Sequence, residues 1–126
     1  DDQNIYNMIA NVMFEGANGS TSYYADSIQQ KKGVVAVPDI LANAGGVIVS
    51  YFEWVQNRLG FKWTKNRVYR RSDSIIKQAF NNVFSISKKY KVSLRTAAYI
   101  AAIDKVSRTY KYRDGSFTFQ KNGEDS

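Results

Sequence analysis

The sequence predicts an α/β protein in which one strand–helix–strand unit is followed by long helices. Two short apolar runs carry this prediction: Asn11–Phe14, which ends at Glu15-Gly16, and Val34–Val37, which ends at the only proline, Pro38. Short apolar runs rich in β-branched residues are typical of strands buried in a parallel sheet. A helical stretch separates the two runs, and a unit of this kind is expected to cross over right-handed.

The helix between the strands is predicted over Tyr23–Lys32. It follows the small polar loop Ala17–Ser22, in which Ser20, Thr21 or Ser22 can serve as the N-cap. Gly33 is the expected C-terminal stop. Upstream of the first strand, residues 1–10 resemble the end of a helical turn, with Ile5 and Ile9 on one face.

A long helix is predicted to begin between Ile40 and Asn43 and to end near Gly60. Asp39, directly after Pro38, is a residue type that caps helices. Residues recur along this helix at spacings of 4, 3 and 4, so two of its faces can be recognised. The first face is apolar and consists of Ile48, Phe52, Val55 and Leu59. The second face mixes polar with apolar groups and consists of Asn43, Val47, Ser50 and Trp54.

The mixed face begins at the positive end of the helix dipole. Gly45-Gly46 lies in the first turns, where missing side chains allow close approach to the backbone. A strand that leads into a helix N-terminus is a common ligand site in α/β proteins. The alternative is that Asn43 is only a cap, Ser50 is solvated and the glycines ease packing, since each costs only about 1 kcal/mol in a helix.

Two further helices are predicted. The first, capped by Thr64 or Asn66, runs to about Tyr90, and the second runs from Leu94, after a Ser93 cap, to about Tyr110. The first carries the apolar helical stripe Ile76, Phe80 and Val83, with Ala79 and Phe84 beside it, and in the second Ala97, Ala98, Ala101 and Ala102 permit close helix packing. We expect the two aromatic residues of the link before these helices, Phe61 and Trp63, to pin it to neighbouring helices. Arg113–Ser116 breaks the last helix, and Ser116–Gln120 could form a short strand.

The composition excludes several kinds of site. The 126 residues include no cysteine and no histidine, so disulfides, thiol chemistry, the usual zinc sites and Ser-His or Cys-His catalysis are excluded. No apolar run reaches transmembrane length and no signal-peptide pattern is present, so we expect a soluble, cytoplasmic protein without a membrane partner.

The net charge of +7 is unevenly distributed. Residues 58–113 hold fifteen Lys and Arg against two Asp, whereas residues 1–57 hold six acids against two Lys. A basic half of this kind can attract a polyanion such as nucleic acid. It is also typical of the solvated faces of helices in a basic protein, and we consider nucleic-acid binding the weaker interpretation.

Two blocks of sequence resemble a known family. The segment PDILANAGGV at 38–47, followed by VSYFEWVQN at 49–57, closely resembles glutamate dehydrogenases of the hexameric Glu/Leu/Phe/Val dehydrogenase family. The run EGANG at 15–19 matches a second block of that family, in the right order and at a fitting distance. The resemblance covers at least residues 12–108 and corresponds to the C-terminal portion of the family's enzyme.

The resemblance implies a partial Rossmann-like cofactor domain and the oxidative deamination of L-glutamate to 2-oxoglutarate and ammonia with NAD or NADP. Under it, Asn18 and Asn43 lie beside the cofactor, and Gly45 and Gly46 admit its nicotinamide end. The glutamate pocket is implied to include Val47 and Ser50, with the Ser50 hydroxyl reaching the distal carboxylate of the substrate.

The chain departs from the family in one loop and lacks its other parts. Ser20-Thr21-Ser22 stands where the family commonly has Pro-Thr-Thr, and none of the glycines forms the Gly-x-Gly-x-x-Gly fingerprint. The family's catalytic Lys and Asp precede that fingerprint. For Glu15, Asp39 and Glu53 we expect structural roles and no acid–base catalysis, so we assign no catalytic residue.

We therefore expect three regions: residues 1–40, the last βαβ part of a nucleotide-binding domain; residues 41–113, long helices returning toward a substrate domain; and residues 114–126, a polar tail. The chain is expected to contribute cofactor and substrate contacts but to be inactive alone. Its partner would be further copies of itself or a separate N-terminal half. The alternative is a non-catalytic basic module that mediates oligomerisation or binds nucleic acid.

Overall fold

The structure is a computed structural model that describes residues 4–113. Its elements in chain order are a 3₁₀ turn Ile5–Asn7, β1 Val12–Phe14, α1 Tyr23–Lys31, β2 Val35–Val37, α2 Asp39–Ala42, α3 Ala44–Leu59, α4 Lys65–Tyr90 and α5 Leu94–Arg113. This architecture confirms the predicted α/β class, with one strand–helix–strand unit followed by long helices.

The two strands form a parallel pair. Val12 lies opposite Val35 and Phe14 lies opposite Val37. The pairing continues one residue beyond the register at each end, because Val35 N donates to Asn11 O at 2.9 Å and Glu15 N donates to Val37 O at 3.1 Å. Glu15 is therefore held at the C-terminal edge of the sheet. The right-handed crossover remains a prediction.

The helix α1 begins where the capping pattern predicts. Ser22 Oγ accepts a hydrogen bond from Ala25 N at 3.1 Å, which identifies Ser22 among the three candidate caps. Gly33 follows the helix with φ of +73°, a conformation that favours glycine. The predicted pairing of Ile5 with Ile9 is wrong: Ile5 is buried, but the turn ends at Asn7 and Ile9 is 98% exposed.

The chain after β2 differs from the prediction. Pro38, not Asp39, precedes the first helical residue, and the short α2 ends before the long helix begins at Ala44. Asp39 does not cap in the usual way because its carboxylate is already engaged: Oδ2 accepts from Gly19 N and Oδ1 accepts from Ile40 N. Asn43 lies at the break between the two helices, with φ of −98° and ψ of 4°.

The main core joins the sheet to the last two helices. Its buried members come from β2, α2, α4 and α5, and are Val37, Leu41, Val83, Ala97 and Ala98. Ala97 is fully buried, and the small alanine side chains allow α5 to approach α4 closely, as the sequence predicts. Ala102, in contrast, is exposed. Burial of β2 against α5 places the first turn of α5 beside the C-terminal edge of the sheet.

Trp63 anchors the link between α3 and α4. Its ring centroid lies 5.4 Å from that of Phe52, which is 4% exposed, and its backbone N donates to Gln56 Oε1 at 2.6 Å. The expectation for Phe61 is wrong, since this residue is exposed. Leu59, at the end of the predicted apolar face of α3, is also exposed, because the chain turns away at Gly60, whose φ is +64°.

The last two helices follow the sequence closely. Thr64 Oγ1 accepts from Arg67 N, and Ser93 Oγ accepts from Thr96 N, so both predicted caps are present. α5 continues to Arg113, three residues beyond the predicted end. The predicted tail and its short strand lie outside the described residues. Between residues 4 and 113, no helix is long and apolar enough to cross a membrane.

Candidate functional site

The candidate site lies where the two parallel strands end. Glu15 follows β1 directly, and Asp39 follows β2 after Pro38. Both carboxylates are buried. The backbone N of Asp39 donates to Glu15 Oε2 at 3.1 Å, so the two strand ends are joined by a hydrogen bond as well as by the sheet. The C-terminal edge of a parallel sheet is the usual ligand-binding edge of α/β proteins.

One arginine of α5 contacts three carboxylates at this edge. Arg95 Nε donates to Asp26 Oδ1 at 3.0 Å, Nη2 donates to Glu15 Oε1, and Nη1 lies 3.7 Å from Asp39 Oδ1. Asp26 belongs to α1, so the guanidinium joins three elements that are distant in sequence. A planar guanidinium carries five N–H groups and can donate hydrogen bonds to several carboxylates at once. The ammonium group of a lysine lacks this planar arrangement of donors.

The cluster holds three carboxylates and one guanidinium, and every carboxylate oxygen accepts a hydrogen bond or faces the arginine. Besides the arginine contacts, Asp39 Oδ2 accepts from Gly19 N at 2.7 Å, and Asp26 Oδ2 accepts from Gln30 Nε2 at 2.9 Å. Each of the six carboxylate oxygens therefore has a donor within the cluster. Such satisfaction is what allows charged groups to be buried without neutralisation.

The environment favours the ionised forms. The hydrogen bond from Gly19 N lowers the pKa of Asp39 most; burial opposes this, while Ile40 N and the charge of Arg95 also lower it. Burial opposes the charged form of Arg95, but hydrogen bonds to Glu15 and Asp26 outweigh it and raise the pKa of the guanidinium. Asp39 and Arg95 are thus held in their charged forms at neutral pH, which suits a structural role for their contact.

The two asparagines predicted to lie beside a cofactor are in contact. Asn43 Nδ2 donates to Asn18 Oδ1 and lies 3.5 Å from Gly16 O; Asn18 is exposed and Asn43 is half-buried. The side chain of Asn43 makes no capping hydrogen bond to α3. The contact therefore brings together the loop after β1 and the start of α3, and it disfavours the interpretation of Asn43 as only a cap.

The two glycines leave free space at the start of α3. A Cβ on Gly45 would lie 3.9 Å from Ile76 Cδ1, an ordinary contact distance, and a Cβ on Gly46 would meet nothing within 4 Å. Neither glycine is required by packing within the described residues. Val47 and Ser50 lie about one and two turns after Asn43 and are exposed, Val47 by 70%.

The arrangement contains no metal site. Within residues 4–113, no group of three or more His, Cys, Asp or Glu is placed to hold a metal ion. The strand ends offer a pair of amides, free space over Gly46, and the exposed side chains of Ser50 and Val47 along α3. These groups can hydrogen-bond and contact an organic ligand.

Comparison with known proteins identifies the family. The sequence model described as Glutamate/Leucine/Phenylalanine/Valine dehydrogenase matches residues 1–114. This chain belongs to that family. The glutamate dehydrogenase of Thermotoga maritima is 51% identical over 104 residues, which are 82% of this chain and 25% of that protein. The NAD-specific glutamate dehydrogenase of Clostridioides difficile is 43% identical with the same coverage of each chain.

Solved structures of the family share the fold. The glutamate dehydrogenase of Peptoniphilus asaccharolyticus matches with a TM-score of 0.83 and 36% identity, over 90% of this chain and 28% of that one. The hetero-hexameric glutamate dehydrogenase of Thermus thermophilus, in its Leu-bound form, matches with a TM-score of 0.86 and 26% identity, over 90% and 27%. The chain thus spans about a quarter of the length of its dehydrogenase relatives.

The sequence pattern does not predict the roles of two residues of this segment, Arg95 and Asp26. Arg95 lies in the basic half, where it is the single charge among the first small and apolar residues of α5. A lone arginine beside Ala97 and Ala98, on the face that becomes buried, is the signal that could have revealed it. Asp26 in the first turn of α1 carries no such signal, because acids are common at helix N-termini.

Proposed function

We propose that this chain is the C-terminal part of an NAD(P)-dependent glutamate dehydrogenase, which interconverts L-glutamate with 2-oxoglutarate and ammonia. The observation that carries the proposal is the contact between Asn18 and Asn43 at the C-terminal edge of two parallel strands. Family membership and the glutamate dehydrogenase relatives support it. The comparisons give no support to the alternative of a basic nucleic-acid or oligomerisation module.

The cofactor is NAD or NADP in this proposal, and Asn18, Asn43, Gly45 and Gly46 lie beside it. The amides of the Asn18–Asn43 pair can donate to and accept from the ribose hydroxyls and carboxamide of a nicotinamide nucleoside. The free space over Gly46 supports close approach of a planar ring. Asn18, Asn43, Gly45 and Gly46 would hold the cofactor in position, and the bound cofactor would supply the hydride acceptor for the substrate carbon.

The substrate side of the pocket is formed by Val47 and Ser50. In this proposal the Ser50 hydroxyl donates to the distal carboxylate of glutamate, and the Val47 side chain contacts the methylene groups between the two carboxylates. An apolar neighbour beside one polar group suits a flexible chain that ends in a charge. The position of both residues on the exposed face of α3 that starts at Asn43 supports this assignment.

Residues 1–40 belong in this proposal to the nucleotide-binding domain and residues 41–113 to helices that return toward a substrate domain, with a polar tail at 114–126. The partner in this proposal is the rest of the dehydrogenase, as a separate N-terminal half or within a homo-oligomer, and the location is the cytoplasm.

Large apolar side chains are exposed on β1, α3 and α5, which supports the proposal that a partner covers this surface. They are Phe14, Val47, Ile103, Val106 and Tyr110.

The test uses a completed subunit, meaning this chain joined to the remainder of the Thermotoga maritima glutamate dehydrogenase in place of the matching segment. We expect Ser50→Ala to raise the KM for glutamate by about tenfold or more, since a hydrogen bond to a charged group is lost. The KM for NAD or NADP should stay unchanged. Steady-state kinetics with each substrate varied in turn measure both constants.

The matched control is Ser85→Ala, because Ser85 is an exposed helical hydroxyl that donates to Asn81 O on α4. It should change neither constant. An unchanged KM for glutamate in Ser50→Ala, or an equal effect of the two variants, would contradict the substrate assignment.

A further inference from the structure

Three contacts connect Arg95 to the Asn18–Asn43 pair. Arg95 Nη1 faces Asp39 Oδ1, and the other carboxylate oxygen of Asp39 accepts from Gly19 N at 2.7 Å, next to Asn18 in the chain. The carbonyl oxygen of Asp39 accepts from Asn43 N at 3.0 Å. Asp39 therefore holds the backbone on both sides of the pair, and Arg95 is the group that faces Asp39 from another element.

Arg95 is well placed to hold Asp39 still. It also binds Glu15 and Asp26, so its guanidinium is fixed by β1 and α1 while it faces Asp39. Its side chain is only 18% exposed, and α5 is packed through Ala97 and Ala98 against the core. Among residues 4–113, no other ion pair to these three carboxylates is formed.

Neither asparagine is buried: Asn18 is exposed and Asn43 is half-buried. Asn18 also belongs to the loop between β1 and α1, outside any helix or strand. Fixing the amide pair before a ligand arrives lowers the entropic cost of binding. The hydrogen bond from Gly19 N and the charge of Arg95 lower the pKa of Asp39, so its carboxylate is ionised and able to hold the loop at neutral pH.

We propose that Arg95 is a positioning residue: by holding Asp39 from α5, it fixes the Asn18–Asn43 pair and thereby sets the affinity for the nicotinamide nucleoside part of the cofactor. This inference rests on the proposed function of the pair. Arg95 itself touches neither cofactor nor substrate. Its role predicts a selective effect on cofactor binding, whereas a purely structural ion pair would affect both substrates or stability alone.

The test variant is Arg95→Lys, which keeps the charge but loses the planar fork that serves three carboxylates. In the completed subunit we expect the KM for NAD or NADP to rise by about tenfold, in the range that a small misplacement of binding groups can cause. The KM for glutamate should not change. Asp39→Asn, which leaves the Arg95 contacts to Glu15 and Asp26 in place, should act in the same direction.

A second readout uses NMR on the 126-residue chain and does not need activity. The backbone amide resonance of Gly19 and the side-chain amide resonances of Asn43 should shift in Arg95→Lys and stay in place in Arg108→Lys. Arg108 is the matched control, since it lies on the same helix and forms an ion pair with the exposed Asp104.

The outcomes separate the two proposals. If the wild-type completed subunit is folded but inactive, the proposed function is overturned, and the resonances still decide whether Arg95 positions the pair. Unchanged Gly19 and Asn43 resonances in Arg95→Lys would overturn the positioning role. Shifted resonances with an unchanged KM for the cofactor, in an active subunit, would overturn its link to cofactor affinity.

Discussion

Replacing Arg95 by methionine is expected to lower the free energy of unfolding by about 3–5 kcal/mol, because it leaves buried carboxylates without their cation. Glu15 is 3% exposed and would lose its ion pair with Arg95, and Asp26 and Asp39 would lose the same cation, although Asp26 keeps its hydrogen bond from Gln30. Methionine keeps an unbranched stem like that of arginine but ends before the guanidinium, so the effect reports mainly the loss of the charged group and its hydrogen bonds. Urea unfolding followed by far-ultraviolet circular dichroism measures it.

Two comparisons make the measurement specific. Arg108→Met removes an exposed pair on the same helix and should cost less than about 1 kcal/mol. The double variant Arg95→Met with Glu15→Gln should recover part of the loss, since one buried charge is removed with its cation. Equal stabilities of the Arg95 and Arg108 variants would show that the buried cluster does not contribute as its geometry indicates.

Replacing Phe52 by alanine is expected to cost about 3–5 kcal/mol as well, for a different reason. Phe52 is the buried residue of α3, and its ring packs against Trp63 in the link before α4. The deletion leaves a cavity and also removes support from Trp63, over which the guanidinium groups of Arg67 and Arg71 lie at 4.7 and 4.5 Å. The same unfolding experiment measures this loss.

Leu59→Ala is the matched control for Phe52→Ala. Leu59 lies on the same predicted face of the same helix but is 67% exposed, so its truncation should change stability by much less. Similar losses in the two variants would mean that the apolar face of α3 is covered as its periodicity predicts, and not as the structure describes it.

The regular elements could be predicted because their signals are local. Ser22, Thr64 and Ser93 lie directly before helices and carry the hydroxyls that cap them, and Gly33 and Gly60 lie directly after helices with positive φ. Chain neighbours decide these features. The short apolar runs also gave both strands to within one residue at their ends.

The candidate site could be predicted only in part. The resemblance to a known family supplied Asn18 and Asn43, and the structure then brought them together. Arg95 is separated from Glu15 by 80 residues, and its partners depend on how α5 packs against β2. Nothing in the local pattern specifies that packing, so neither the carboxylate cluster nor the engaged state of Asp39 could be derived before the fold was known.

The apolar face of α3 shows the same limit. Its spacing correctly predicts a helix, but spacing alone does not say how much of the face is covered. Phe52 is buried because Trp63 returns to it, whereas Leu59 and Phe61 lie at a turn where no described element covers them. Periodicity therefore predicted the helix, and tertiary contacts decided which of its residues are buried.

The measurement that tests the central claim most directly is glutamate-dependent reduction of NAD or NADP, made on this chain alone and on the completed subunit. We predict no turnover by the chain alone, since its sequence holds no Gly-x-Gly-x-x-Gly fingerprint and no assigned catalytic residue. We predict turnover by the completed subunit. Turnover by the chain alone, or none by a folded completed subunit, would contradict the account.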